Sequence, residues 1–237
     1  MPVTHQPGLP TSPDGLTAPT RFLDIDHPDV LAFVAGVTRP GQSSREKAVA
    51  LFYAVRDRLR YDPYQISFDE ADNRASAILR AGYGWCVTKA VLMAACLRAV
   101  QIPAALGFAD VRNHLTSDKL KARMGGVDVF YNHGYAAALI DGRWLKLAPA
   151  FNVELCDRFD VRPTEFDGTA DALYQPFDAL DRRHMEYLTD HGTWSDLPLD
   201  KIRADFAAYY PNSIFAPNVP SADDPFDTQI RDKPAAA

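Results

Sequence analysis

Between residues 43 and 60 the apolar side chains Ala48, Leu51, Phe52, Val55 and Leu59 return at helical spacing. That period puts them on one face of an α-helix. Ser43-Ser44 followed by Glu46 supplies its start signal. The helix is expected to run to about Arg60 and to stop before Tyr61-Asp62-Pro63. A shorter helix is expected from Arg74 to Arg80, with Ala75, Ile78 and Leu79 inward and Gly82 and Gly84 breaking it. From Cys86 to Val100 the pattern changes. CVTKAVLMAACLRAV is apolar on nearly every side, with Lys89 and Arg98 the exceptions. A helix of that kind belongs in the middle of a core, and Ala90, Ala94, Ala95 and Ala99 let a neighbour approach closely.

Three strands are expected next: Pro103 to Ala109, Val129 to Ile140, and Arg143 to Ala148. Asp141-Gly142 joins the last two as a type I′ hairpin. The polar run from Asp110 to Asp128, which contains His114, is long enough to be a functional or mobile loop. Asp178 to Asp190, ended by Gly192, and Leu199 to Tyr209 read as helices. Pro2, Pro7, Pro10, Pro13 and Pro19 exclude a helix or central strand at the start of the chain. The expected organisation is an extended arm over 1–20, one α+β domain over 21–210, and a Pro-rich tail over 211–237. Both ends are expected outside the core.

The chain has 31 acidic against 25 basic residues, a net charge of −6, and no basic block. That argues against nucleic acid as the main partner, because phosphate neutralisation needs clustered cations. No segment approaches the ~20 apolar residues of a membrane span. The first residues lack the basic and apolar regions of a secretory signal. Three cysteines, Cys86, Cys96 and Cys156, then suggest reduced thiols and a cytoplasmic location. No phosphate-binding glycine loop or paired-Cys metal motif is present, so neither cofactor nor metal is expected. His184 and His191 would share a helix face, but a third and fourth ligand are missing. Arg98 and Arg182-Arg183 read as solvated or ion-paired.

Cys86 is the candidate nucleophile. It stands at the first turn of the buried helix, directly after Gly82-Tyr83-Gly84-Trp85. Helix N-terminal N–H groups favour thiolate, so its pKa is expected to fall. The same groups can receive an oxyanion. His133, near the start of a strand, is the candidate base: it takes the thiol proton and returns it to the leaving group. The plainer readings are a small buried hydrophobe for Cys86 and a backbone-bonded strand-end residue for His133. Trp85 and Tyr83 are candidate walls of the substrate pocket, or packing residues. His114 is a candidate substrate contact, or an exposed loop histidine.

Gly84-Trp85-Cys86-x-x-Lys89-Ala90-x-Leu92, then Leu97-Arg98-Ala99-x-x-Ile102-Pro103-Ala104, then His133-Gly134-Tyr135 and Gly142-Arg143-Trp144 form an ordered set. It is similar to the core signature of the transglutaminase-like family, over roughly residues 45–152. The resemblance implies a papain-like fold, in which a Cys-bearing helix packs on an antiparallel sheet carrying the His. It also implies a Cys-His-Asp triad acting on amide bonds of a peptide, protein or small molecule. Cys86 and His133 match residue by residue. The third member does not: the position four beyond Trp144 is Ala148. Asn152 is the favoured substitute, as an amide serves in papain-like proteases. Asp128 or Asp141 are alternatives, and so is a dyad or a site that has lost catalysis and serves binding or scaffolding.

Overall fold

The computed structural model describes residues 3–114, 121–122, 124–173 and 185–211. Strand β1 (His5–Gln6) is followed by α1 (Pro28–Ala35) and α2 (Ser44–Arg58). A reciprocal capping box opens α2: Ser43 Oγ accepts from Glu46 N at 3.2 Å, and Glu46 Oε2 accepts from Ser43 N at 2.7 Å. Strand β2 (Arg60–Tyr61) pairs in parallel with β3 (Tyr83–Gly84), and α3 (Ala75–Ala81) lies between them in the chain. Helix α4 (Cys86–Ala99) follows, buried along almost its whole length.

A five-stranded antiparallel sheet makes the second layer. It contains β1, β4 (Ala104–Asn113), β5 (Val129–Ile140), β6 (Arg143–Leu147) and β7 (Met185–Trp194), in the order β1-β7-β4-β5-β6. Helix α4 packs on β5, where Ala136, Ala137 and Ala138 are buried beneath it. Small side chains on both elements allow that close approach. The β5–β6 turn has positive φ at both Asp141 (48°) and Gly142 (77°), as a type I′ hairpin requires. Helices α5 (Val153–Phe159) and α6 (Leu199–Tyr209) complete the described chain. The architecture is α+β, with helices gathered around α4 and an antiparallel sheet beside them.

The structure corrects several sequence expectations. The pattern predicts a helix over Asp178–Asp190, but from Met185 onward the chain is strand β7, paired with both β4 and β1. Sheet pairing overrides a weak local pattern. The first part of that segment, with His184 and Arg182-Arg183, lies outside the described residues. Gly192 sits inside the strand rather than ending a helix. Its φ is 88°, and a Cβ there would fall 2.1 Å from Gln6 O. Strand β4 runs on to Asn113, so Asp110–Asn113 belong to the sheet rather than to a loop.

The N-terminal arm is not outside the core. Leu16 is buried in it, and Leu16 O accepts from Ala104 N at 2.9 Å. Arg98, expected to be solvated or ion-paired, is fully buried. Its guanidinium donates to Ala104 O (2.8 Å), Ala18 O (2.9 Å) and Ser195 O (2.7 Å). A buried cation needs such acceptors, and here they tie the arm, β4 and the exit of β7 together. Among the described residues no helix is long and apolar enough to cross a membrane.

Candidate active site

The N-terminus of α4 is built by its own first residues. Thr88 Oγ1 accepts from Trp85 N at 3.0 Å and donates to Trp85 O at 3.1 Å. A Cβ at Gly84 would fall 2.5 Å from that hydroxyl, so the turn before the nucleophile needs a glycine. Asp62 N donates to Gly84 O at 3.0 Å, which fixes the approach to Cys86 from the β2 side.

Strand β5 crosses the same helix end. A Cβ at Gly134 would lie 2.8 Å from Val87 Cα and 3.2 Å from Cys86 O, so only glycine permits this contact. The backbone N–H of Gly134 is near enough to the Cys86 sulfur to favour its thiolate. The residue after His133 therefore sits against the backbone of the helix end that carries Cys86. Both are buried, at 6% and 3% exposure.

Burial sets the proton chemistry of the pair. The Cys86 thiol is pushed up to about 12, although N–H groups of Gly134 and Val87 pull the other way. This overturns the expectation of a lowered pKa: removing a thiolate from water outweighs the helix-end donors. Burial likewise lowers His133 to about 3. Burial thus favours a neutral thiol at Cys86 and a neutral imidazole at His133.

A stability prediction follows for His133. Its folded pKa lies below the ordinary 6.5, so the unfolded chain takes up the proton first as pH falls. The stability it contributes is present above pH 6.5 and is lost as pH falls toward 3. Roughly 3 kcal/mol is expected to go by pH 4, at 1.36 kcal/mol per unit. Urea unfolding of wild type and His133→Gln between pH 7 and 4 checks this. Equal pH slopes for the two proteins would refute it.

The other candidates fall in different places. Trp85 is buried, with its ring 5.5 Å from that of Phe206, and its indole N–H has no hydrogen-bond partner among the described residues. Tyr83 is half-buried in β3, with the Arg60 guanidinium 5.9 Å from its ring centroid. His114 is exposed and pairs with Glu186 at 2.9 Å. Asn152 is committed elsewhere: Oδ1 accepts from Tyr61 N at 3.0 Å and Nδ2 donates to Glu154 at 2.7 Å. It lines a cleft of about 290 Å³ with Arg58, Arg60 and Glu154. His133 lines a separate cavity of about 30 Å³ with Val111, Asn113, Phe130, Phe151 and Met185. Tyr61 lines both. Ala148 is buried and presents no carboxylate. Asp141 pairs with Arg45 at the hairpin turn, and Asp128 with Arg112 at 3.5 Å. Among the described residues no cluster of His, Cys, Asp or Glu could hold a metal. Cys96 and Cys156 are buried free thiols.

The sequence pattern did not single out three neighbours of the pair. Burial raises the phenols of Tyr61 and Tyr210, and the Cys86 sulfur is close enough to both to add to the shift. Lys89, one turn beyond Cys86, is fully buried. Its ammonium donates to Arg56 O (2.8 Å), Leu59 O (2.8 Å) and Ala150 O (2.7 Å). It ties α4 to the end of α2 and to the segment after β6. A cation at the start of an otherwise apolar helix, shared only with Arg98 near its end, was the available signal.

The sequence profile of the transglutaminase-like superfamily matches residues 31–149, just over half of the chain. The chain belongs to that superfamily. The matched stretch holds both Cys86 on α4 and His133 on β5. The chain is also similar to a putative cysteine protease from Cytophaga hutchinsonii, at 16% identity and a TM-score of 0.44, over 74% of this chain and 53% of that one. A putative protease from Parabacteroides distasonis shares 20% identity at a TM-score of 0.36, over 54% of this chain and 26% of that one. This chain thus spans about half of the first structure and about a quarter of the second. No curated protein matches the sequence.

Proposed function

We propose that the protein is a thiol-dependent acyl-transfer enzyme acting on amide bonds of a peptide, protein or small molecule, with Cys86 as nucleophile and His133 as base. The close approach of Gly134 to the Cys86–Val87 backbone carries this reading, because it brings the strand of His133 against the helix end that bears the nucleophile. A neutral imidazole is the form able to accept a proton. The thiol proton passes to His133 as sulfur attacks the carbonyl carbon. The C–N bond then breaks, and the amine leaves with that proton. A thioester remains on Cys86. Water, giving up a proton to His133, releases the acid and restores the thiol; an amine in place of water gives transamidation. The buried indole N–H of Trp85, without a partner among the described residues, is a donor for an incoming polar group.

A second reading is a non-catalytic binding or scaffolding domain. Ala148 at the usual acid position and the prior commitments of the Asn152 amide favour it. Adduct trapping decides between them. The protein is incubated with peptide amides, small amides and activated esters, quenched in acid, and measured by intact mass and peptide mapping. An acyl adduct confined to Cys86 is expected. Unmodified protein, or label spread equally over Cys86, Cys96 and Cys156, would leave the binding domain as the better account.

A further inference from the structure

Strand β5 carries an irregularity directly before His133. Ala109 faces His133 and Val111 faces Phe130, so Tyr131 and Asn132 together oppose the single residue Asp110. This is a β-bulge, a device that re-aims side chains beside functional sites. At the same point β4 also slips against β7. Asn132 is buried and has φ 56°, a left-handed conformation in which non-glycine residues are strained.

A bulge takes N–H groups out of the ladder, and buried donors need replacements. Here side chains provide them. Asn132 N donates to Asp110 Oδ1 at 3.1 Å. Tyr131 N donates to the Tyr210 hydroxyl at 2.8 Å, which itself donates to Val129 O at 2.7 Å. The Asn132 side chain is held as well: Nδ2 donates to Asp205 at 2.8 Å and Oδ1 accepts from Lys201 at 3.2 Å. Asp110 Oδ1 also pairs with His191 on β7 at 2.8 Å. One carboxylate thus serves irregular points on both strands flanking β4.

We propose that Asn132, locked left-handed by Asp110, Asp205 and Lys201, is a positioning residue that sets the orientation of His133 toward Cys86. The proposal rests on reading His133 as the base of the site. Both N–H groups of the bulge and the Asn132 amide have partners on β4, on α6 or at its C-terminal cap. Without the bulge the strand would alternate regularly past His133.

The test compares Asn132→Ala with Asn132→Gly in the full chain. Alanine disfavours positive φ, whereas glycine accepts it. Asn132→Ala is expected to lower kcat by about 10- to 100-fold with KM within about twofold, as small misplacements of reacting groups do. Asn132→Gly is expected to recover most of that loss. His133 imidazole resonances, followed by NMR over pH, give a readout that needs no turnover. They should move toward an ordinary titration near pH 6.5 in Asn132→Ala and return in Asn132→Gly. A folded Asn132→Ala whose His133 titration and kcat match wild type overturns the proposal. Should that variant fail to fold, Asp110→Ala and Asp110→Asn decide. Asparagine keeps an oxygen for Asn132 N–H, so equal behaviour of the two would also overturn it. A wild-type protein that forms no adduct, but whose His133 signals still depend on Asn132, removes the enzymatic reading and upholds the positioning role.

Discussion

Cys86→Ala is expected to abolish acyl-adduct formation and to lower amide turnover at least about a thousandfold, since no other group in the site can form the thioester. The protein should remain folded. The change removes one sulfur from a buried position without adding volume, a loss of about 1 kcal/mol. For a chain of this size that corresponds to a Tm decrease of roughly 2–4 °C. Intact mass after substrate incubation, kcat/KM and thermal unfolding measure the three parts. Cys156→Ala is the control, because Cys156 lies in α5 with its sulfur toward Phe151 O. Turnover that survives in Cys86→Ala at the wild-type level would end the thiol mechanism. Turnover lost equally in Cys156→Ala would mean that integrity of the fold, and not the sulfur, was being assayed.

The second large effect is structural. Lys89→Met keeps the length of the side chain and removes the ammonium. Three buried carbonyls, on Arg56, Leu59 and Ala150, then lose their donor. Each unsatisfied carbonyl costs about 1–3 kcal/mol, and removing a buried charge returns part of it. A net loss of about 3 kcal/mol is expected, with a Tm lower by roughly 6–12 °C. Calorimetry of the variant reads the change directly. A variant as stable as wild type would mean that the chain repacks around the methionine or that water reaches those carbonyls. Activity should fall too, because the tethered segment carries Phe151, a wall of the His133 cavity.

Helix α4 and the β5–β6 hairpin were legible in the sequence because their signals are local. An all-apolar helix after Gly-Trp-Cys, and Asp-Gly between two apolar runs, each specify their own geometry. The capping box at Ser43 and Glu46 is local as well. Strand β7 was not legible. Its residues Leu188, Thr189 and Asp190 are exposed, and its register against β4 slips twice, so no clean alternation survives in Met185–Trp194. Helix α1 went unread although its signals are present: His27 at the N-cap, Pro28 in the first turn, and Asp29 beside the positive end.

At the candidate site, residue type and order pointed to Cys86 and His133 as the pair on which the proposed function rests. Their protonation was not legible, because burial depends on what covers them. Tyr61 comes from β2 and Tyr210 from the end of α6, both distant in sequence. The destinations of the Asn152 amide and of the Lys89 and Arg98 cations are non-local for the same reason. Asn132 reads as one polar residue in a strand; its left-handed backbone appears only when β4 and β5 are aligned.

The anchors of the β5 bulge have a further consequence. Asp205, Lys201, Tyr210 and His191 all lie beyond residue 149, where the superfamily match ends. The matched region supplies Cys86, His133 and the anchor Asp110, while chain beyond it grips the strand that carries the histidine. Changes confined to that outer chain are therefore expected to shift the setting of His133 without any change to the cysteine or the histidine.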